Sequence, residues 1–233
     1  MTTRPMPQRV LVLAACVLGL ASFYAGTRFI VGLRVVPAHP ITGRPIAGLA
    51  TNAAWMERSA RQSEEEPDRA LQLIGIRPGM TVADIGAGSG YMTTRLARLV
   101  GPAGKVYANE IQPAMLDLLR AKAQGDGLTN IVVVEGTEFD VRLPPESVDL
   151  ALLVDVYHEF ARPQEMLRSI RASLRPDGRL VLVEYRKEDG SIPILPTHRL
   201  SVAEARRELE PEGFRFVDVL SGLPRQHVIV FTK

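Results

Sequence analysis

From Val82 onward, short apolar runs alternate with stretches in which apolar residues recur every three or four positions. Val82–Ile85, Lys105–Asn109, Asn130–Val134, Val148–Val154 and Leu180–Val183 have the length and character of strands. Between them, Met92, Leu96, Leu99 and Val100, then Met115, Leu118 and Leu119, then Met166, Leu167, Ile170 and Leu174, fall at helical spacing. Pro113 and Pro163 suit first helical positions, while Gly101, the pair Gly125 and Gly127, and Arg175–Gly178 are stops or turns. The nearly unbroken apolar run Val148–Val154 fits a strand covered by helices on both faces. Repeated β-α units predict an α/β, doubly wound parallel sheet. The ending departs from that rhythm, because Phe214–Leu220 and His227–Phe231 are joined by too short a connection to be parallel.

Upstream, residues 10–27 form eighteen consecutive uncharged positions between Arg9 and Arg28. At about 1.5 Å per residue such a helix reaches roughly 27 Å, near the lower limit for a bilayer. Residues 1–34 are therefore expected to be a membrane anchor, or alternatively a cleaved secretory signal. Residues 35–66 read as a proline-rich linker leading to a helical segment, in which Trp55, Arg58 and Arg61 could fold back as a lid. Residues 67–233 form the main domain. The 46% hydrophobic and 23% charged content is that of a globular protein, and the single Cys16 excludes an internal disulfide framework. The net charge of +2 hides an asymmetry: the first 44 residues contribute +5 and no acid, so the remainder carries about −3. That balance argues against a nucleic-acid partner.

Chemistry concentrates at three places. Asp84-Ile85-Gly86-Ala87-Gly88-Ser89-Gly90 joins a strand to a helix through alternating glycines, which permit positive φ and let a ligand approach the backbone. Glu110 closes the next strand about twenty residues on, where a carboxylate can pair with ribose hydroxyls. Asp155-Val156-Tyr157-His158-Glu159-Phe160 follows the fourth strand. Within it His158 is the candidate base, with Tyr157 and Glu159 as candidate orienting groups and Asp155 as a further catalytic candidate. Tyr185, Arg186 and His198 follow the fifth strand on the same rim. Asp155 and Glu184 close adjacent strands, but two carboxylates alone make a poor cation site, and no metal is expected.

Taken in order, the glycine motif, Glu110, Glu135-Gly136-Thr137-Glu138, the Leu174–Gly178 turn and the terminal hairpin resemble a class I S-adenosylmethionine-dependent methyltransferase. The resemblance implies a Rossmann-like seven-stranded sheet of order 3-2-1-4-5-7-6 with the last strand antiparallel. It implies S-adenosylmethionine held by Asp84, Gly86, Ala87, Gly88, Gly90, Glu110, Ile111, Thr137, Glu138 and Asp155, with adenine met by Thr137 or Glu138. The expected activity is methyl transfer to a small-molecule or lipidic acceptor by a membrane-associated enzyme whose catalytic domain faces the cytoplasm, where the cofactor is made. Two alternatives stand beside it: a nicotinamide-dependent oxidoreductase, and a domain that binds S-adenosylmethionine without turnover. Tyr91 in place of a further glycine and the lack of a Tyr-x-x-x-Lys pair weigh against the first.

Overall fold

In the computed structural model, which describes residues 37–233, five parallel strands form the centre of one sheet. They are β1 (Thr81–Ile85), β2 (Lys105–Glu110), β3 (Ile131–Glu135), β4 (Val148–Val154) and β5 (Leu174–Arg186). A two-residue strand β6 (Arg199–Leu200) follows, then β7 (Arg215–Leu220) and β8 (Gln226–Thr232). The order β3-β2-β1-β4-β5-β8-β7 matches the expected path, and β8 runs antiparallel to both of its neighbours. The sheet has eight strands rather than seven, because β6 adds to the carboxyl end of β5 beside Tyr185 and Arg186.

Alternation along the strands explains the two-sided packing. Ala83, Ile85, Ala151, Leu153, Leu180 and Leu182 face one way, against α6 (Pro163–Ser173) and α7 (Val202–Leu209). Val82, Leu150, Leu152, Val181 and Val183 face the other, against α3 (Pro67–Ile74) and α4 (Tyr91–Val100). These strand residues are essentially without solvent exposure, so truncating one of the leucines to alanine would cost about 2–5 kcal/mol. Helix α5 (Pro113–Gly125) packs by β2 and β3, and α7 opens on a capping box between Ser201 and Glu204.

Two sequence expectations change. Arg175–Gly178, read as a turn before the fifth strand, lies inside β5 as an excursion, since Val148 pairs with Leu174 and Leu150 already with Arg179. The segment read as a linker packs on the domain: residues 37–233 form one compact unit. There Ala38 bridges Pro45, and Arg44 is buried with its guanidinium 2.9 Å from Glu208. Further along, α1 (Ala53–Met56) and α2 (Arg61–Glu65) precede α3. The apolar segment 10–27 and its membrane role lie outside the described residues. Among the described residues, no helix is long and apolar enough to cross a membrane.

Candidate active site

A cavity of about 580 Å³ opens at the carboxyl ends of β1, β2, β4 and β5, where doubly wound sheets place their ligands. A more open depression of about 740 Å³ lies at the opposite end, around Arg77, Asp149, Asp177 and Arg179. It lacks the convergence of glycine loop, buried acids and imidazoles found at the first, and we assign it no chemistry.

One half of the cavity is built from the glycine loop. Gly86 has φ +71°, and a Cβ there would lie 2.6 Å from both methyl carbons of Val156; at Gly88, φ +54°, it would lie 2.9 Å from the Met56 sulfur. The loop is held from below by Glu110. One carboxylate oxygen accepts the Gly88 N–H at 2.8 Å, and the other accepts those of Ile111 and Gln112 at 2.7 and 2.9 Å, at the amino end of α5. Asp84 is buried and accepts the Thr93 hydroxyl at 2.6 Å. Burial pushes its carboxyl up to about 6, with Thr93 and Arg61 pulling the other way. Gly90 does not line the cavity; it starts α4 and faces Leu119. Thr137 and Glu138 reach the wall, but the Thr137 hydroxyl is occupied by the N–H of Asp140, leaving Glu138 exposed and unengaged among the described residues.

The amino-terminal helices cover this half. Trp55, Met56, Arg58 and Arg61 line the cavity, and Glu57 ties α1 to the loop by accepting the Ser89 hydroxyl at 2.6 Å and pairing with Lys122. The Arg61 guanidinium lies over the Tyr91 ring, pairs with Glu65 and sits 3.9 Å from Asp155. Asp155 holds a left-handed backbone, φ 54°. One of its oxygens accepts the Gln226 amide at 2.7 Å and the other is buried without a partner. Burial, then Glu65 and Glu184, push this carboxyl well above its ordinary value, against the pull of Arg61.

The other half is a line of three side chains. His158, 1% exposed, sets Nδ1 2.6 Å from Glu184 and Nε2 3.0 Å from Nδ1 of His198. The second Glu184 oxygen accepts the Tyr157 N–H at 2.9 Å. Burial opposes charge on His158, but Glu184, Glu159 and Asp155 outweigh it and hold the imidazole above its ordinary value. Burial and the neighbouring His158 push His198 down. Glu159 accepts the Ala50 N–H and is pushed up to about 7, by burial first, with Glu184 and Glu110 adding to it against His158 and Ala50. His158, Glu159 and His198 bring donor atoms within 4.8 Å of one another. Glu159 stays 3.9 Å from His158 Nε2 and is turned to Ala50, while the imidazoles are joined to each other, so hydrogen bonds account for the group.

Tyr157 is a correction. Its ring is fully buried and absent from the cavity wall, with the hydroxyl 3.3 Å from His39 Nε2 beside Arg44 and Glu208. It anchors the amino-terminal strap, and the role expected for it in orienting His158 is filled by Glu184. That partner is hidden in the sequence because it lies 26 residues away, at the end of another strand. Met56 and Gln226, which border the loop and Asp155, carried no motif at all.

The protein-family model described as "Methyltransferase domain" matches residues 76–211, more than half of the chain. The chain belongs to the class I S-adenosylmethionine-dependent methyltransferases. A solved methyltransferase of this cofactor class from Aquifex aeolicus superposes with a TM-score of 0.72 at 27% identity, covering 76% of this chain and 94% of that one. Among curated proteins, the ubiquinone/menaquinone biosynthesis C-methyltransferase UbiE of Pseudomonas paraeruginosa is 31% identical over 123 residues, covering 52% of this chain and 48% of the relative. The UbiE of Hahella chejuensis is 33% identical over 119 residues, covering 51% and 48%. The chain thus spans about half the length of the curated relatives it matches. Its cofactor is S-adenosylmethionine, and the residues fit that group: glycines at positive φ bring the backbone of the loop to the cavity wall, and that wall is rich in acids, with one Asp155 oxygen buried and orphaned, which suits a cationic ligand.

Proposed function

We propose that this methyltransferase acts on an apolar small molecule bearing a ring hydroxyl, of the quinol type, and that His158 belongs to the group that takes up the acceptor's proton. The observation that carries this reading is the shared cavity: the Glu110-supported glycine loop and the Glu184–His158–His198 line open onto one space. When bound, S-adenosylmethionine supplies an electrophilic methyl on a sulfonium, so the chain's task is orientation and proton removal. Gly86, Ala87 and Gly88 form the floor, Glu110 and Ile111 meet the ribose, and Asp84 and Gly90 shape the loop from behind. Glu138 takes the adenine amine, because Thr137 is engaged in its own turn. Asp155 and Arg61 face the polar end of the cofactor.

Acceptor class rests on the wall and on the relatives' names. Leu49, Trp55 and Leu195 are 47%, 50% and 67% exposed and line the cavity, an apolar rim suited to a lipidic substituent. The test uses the full-length chain, methyl-labelled cofactor and naphthohydroquinone kept reduced. Transfer of label supports the reading. Cofactor binding with no transfer to any phenolic acceptor favours the domain that binds without turnover, and no cofactor binding refutes the reading altogether. We further propose that residues 10–27 anchor the chain with its catalytic domain in the cytoplasm. A compartment-sensitive reporter fused after Lys233 tests this, and an outward or secreted reporter refutes it.

A further inference from the structure

We infer that His198, rather than His158, is the group that contacts the acceptor's ionising hydroxyl, and that Glu184, His158 and His198 work as a two-imidazole proton relay. This rests on the methyltransferase reading above and adds the identity and order of the proton carriers.

Geometry sets the order. Glu184 is 0% exposed and, as a carboxylate, only accepts, so Nδ1 of His158 carries the proton between them. Above the pH at which His158 loses its second proton, its Nε2 is an acceptor, and the Nδ1–H of His198 is the donor 3.0 Å away. His158 has no nitrogen left for a substrate. Nε2 of His198 has no partner among the described residues, and His198 lines the cavity from the short helical turn Pro196–His198. The rings meet edge to face, 78° apart with centroids 4.9 Å apart, which suits transfer along the nitrogen line.

The step balances as follows. The acceptor's O–H bond breaks, its proton forms an N–H bond at His198 Nε2, and the acceptor keeps the electron pair as the nucleophile. At the same time the N–H bond at His198 Nδ1 breaks and one forms at His158 Nε2. The resulting imidazolium rests against Glu184. The electrostatics favour this direction: Glu184 from β5 contributes most to holding a proton on His158, and Glu159 and Asp155, at the end of β4, add to it. Arg44 meets only the His158 carbonyl, and Arg61 is taken up by Glu65 and Asp155. A proton is thus less welcome on His198 than on His158, as the first and last stations of a relay require.

Two measurements on the full-length chain test the inference. First, imidazole ring resonances are followed by NMR against pH. His158 should titrate above and His198 below the ordinary histidine value, and His198→Gln should move the His158 midpoint by more than half a unit. Titration in the reverse order, or an unmoved His158, overturns the relay whatever the acceptor is. Second, with any acceptor the wild type methylates, His198→Ala should lower kcat about 100-fold, keep cofactor affinity within twofold, and regain at least tenfold activity with added imidazole. An unchanged kcat, or a loss confined to KM, overturns it. So does stoichiometric zinc that copurifies with the wild type and is lost in both His198→Ala and His158→Gln, since the imidazoles would then be ligands. Failure of the wild type to bind cofactor or transfer methyl would count against the functional reading instead. His198→Gln, which keeps a polar side chain in the half-buried site, guards against a folding defect in the alanine variant.

Discussion

Replacing Glu110 by glutamine should weaken both the fold and the cofactor site. The carboxylate serves three backbone donors, Gly88 on one oxygen and Ile111 with Gln112 on the other, while 4% exposed. A glutamine oxygen can keep only one of those sets. If it keeps Ile111 and Gln112, its amide nitrogen lies against the Gly88 N–H, donor against donor, leaving that N–H unsatisfied at a cost of about 1–3 kcal/mol. The two retained bonds fall from charge-assisted to neutral, losing about 1 kcal/mol in all. The sum, about 2–4 kcal/mol, corresponds to a melting temperature lower by roughly 5–15 °C for a chain of this size. Cofactor affinity should fall at least tenfold, about 1.4 kcal/mol, because the loop is disturbed together with the carboxylate proposed to meet the ribose. Thermal unfolding with calorimetric titration of S-adenosylmethionine measures both. A melting temperature within about 1 °C of wild type would refute the account of Glu110 as the support of the loop, even if affinity fell.

Gly86→Ala should abolish detectable cofactor binding, since the new methyl combines a left-handed backbone with carbon contacts of 2.6 Å to Val156; strain and overpacking of about 2–5 kcal/mol would appear in thermal unfolding. Arg61→Ala removes one of the two arginines that pair with Glu65 and the cation facing Asp155, while Arg58 and the Tyr185 hydroxyl still serve Glu65, and denaturant titration should show a loss of about 1–3 kcal/mol. The pH dependence of stability should carry the mark of Glu159. A carboxyl pushed up to about 7 in the folded chain holds a proton that the unfolded chain has released above about 4.5. Folding is therefore favoured below that range, and the contribution, about 3 kcal/mol, is lost as pH rises towards 7. Glu159→Gln should flatten the decline between those values, and an unchanged slope refutes the assignment.

The glycine-loop half of the cavity was legible because its information is local. The glycines, Asp84 and Glu110 belong to consecutive β-α elements whose boundaries show in the apolar rhythm, and parallel pairing of β1 with β2 sets Ile85 against Asn109, just before Glu110. The acceptor half was legible only as a residue type. His158 stands out, but its neighbour Tyr157 is not its partner, because the short helical turn Tyr157–Glu159 sends the tyrosine side chain into the core. Glu184 and His198 reach His158 because Val154 pairs with Val183 and the chain after β5 returns to the same rim. The strap from residue 37 to 47 looked like a linker because proline, glycine and threonine give no period. What holds it is the pairing of Arg44 with Glu208, 164 positions away.

By itself, then, the order of apolar and polar residues determined the layered sheet, its antiparallel ending and the glycine-and-acid cradle, since burial on two faces and close approach to a ligand each demand residue types at short, readable spacings. Tertiary structure alone decided which side chains meet His158, which glycine stands behind the loop rather than in it, and what covers the cavity. Those contacts are made between strand ends and segments far apart in sequence, and their partners are selected by the register of the sheet and by buried charge seeking its counterpart.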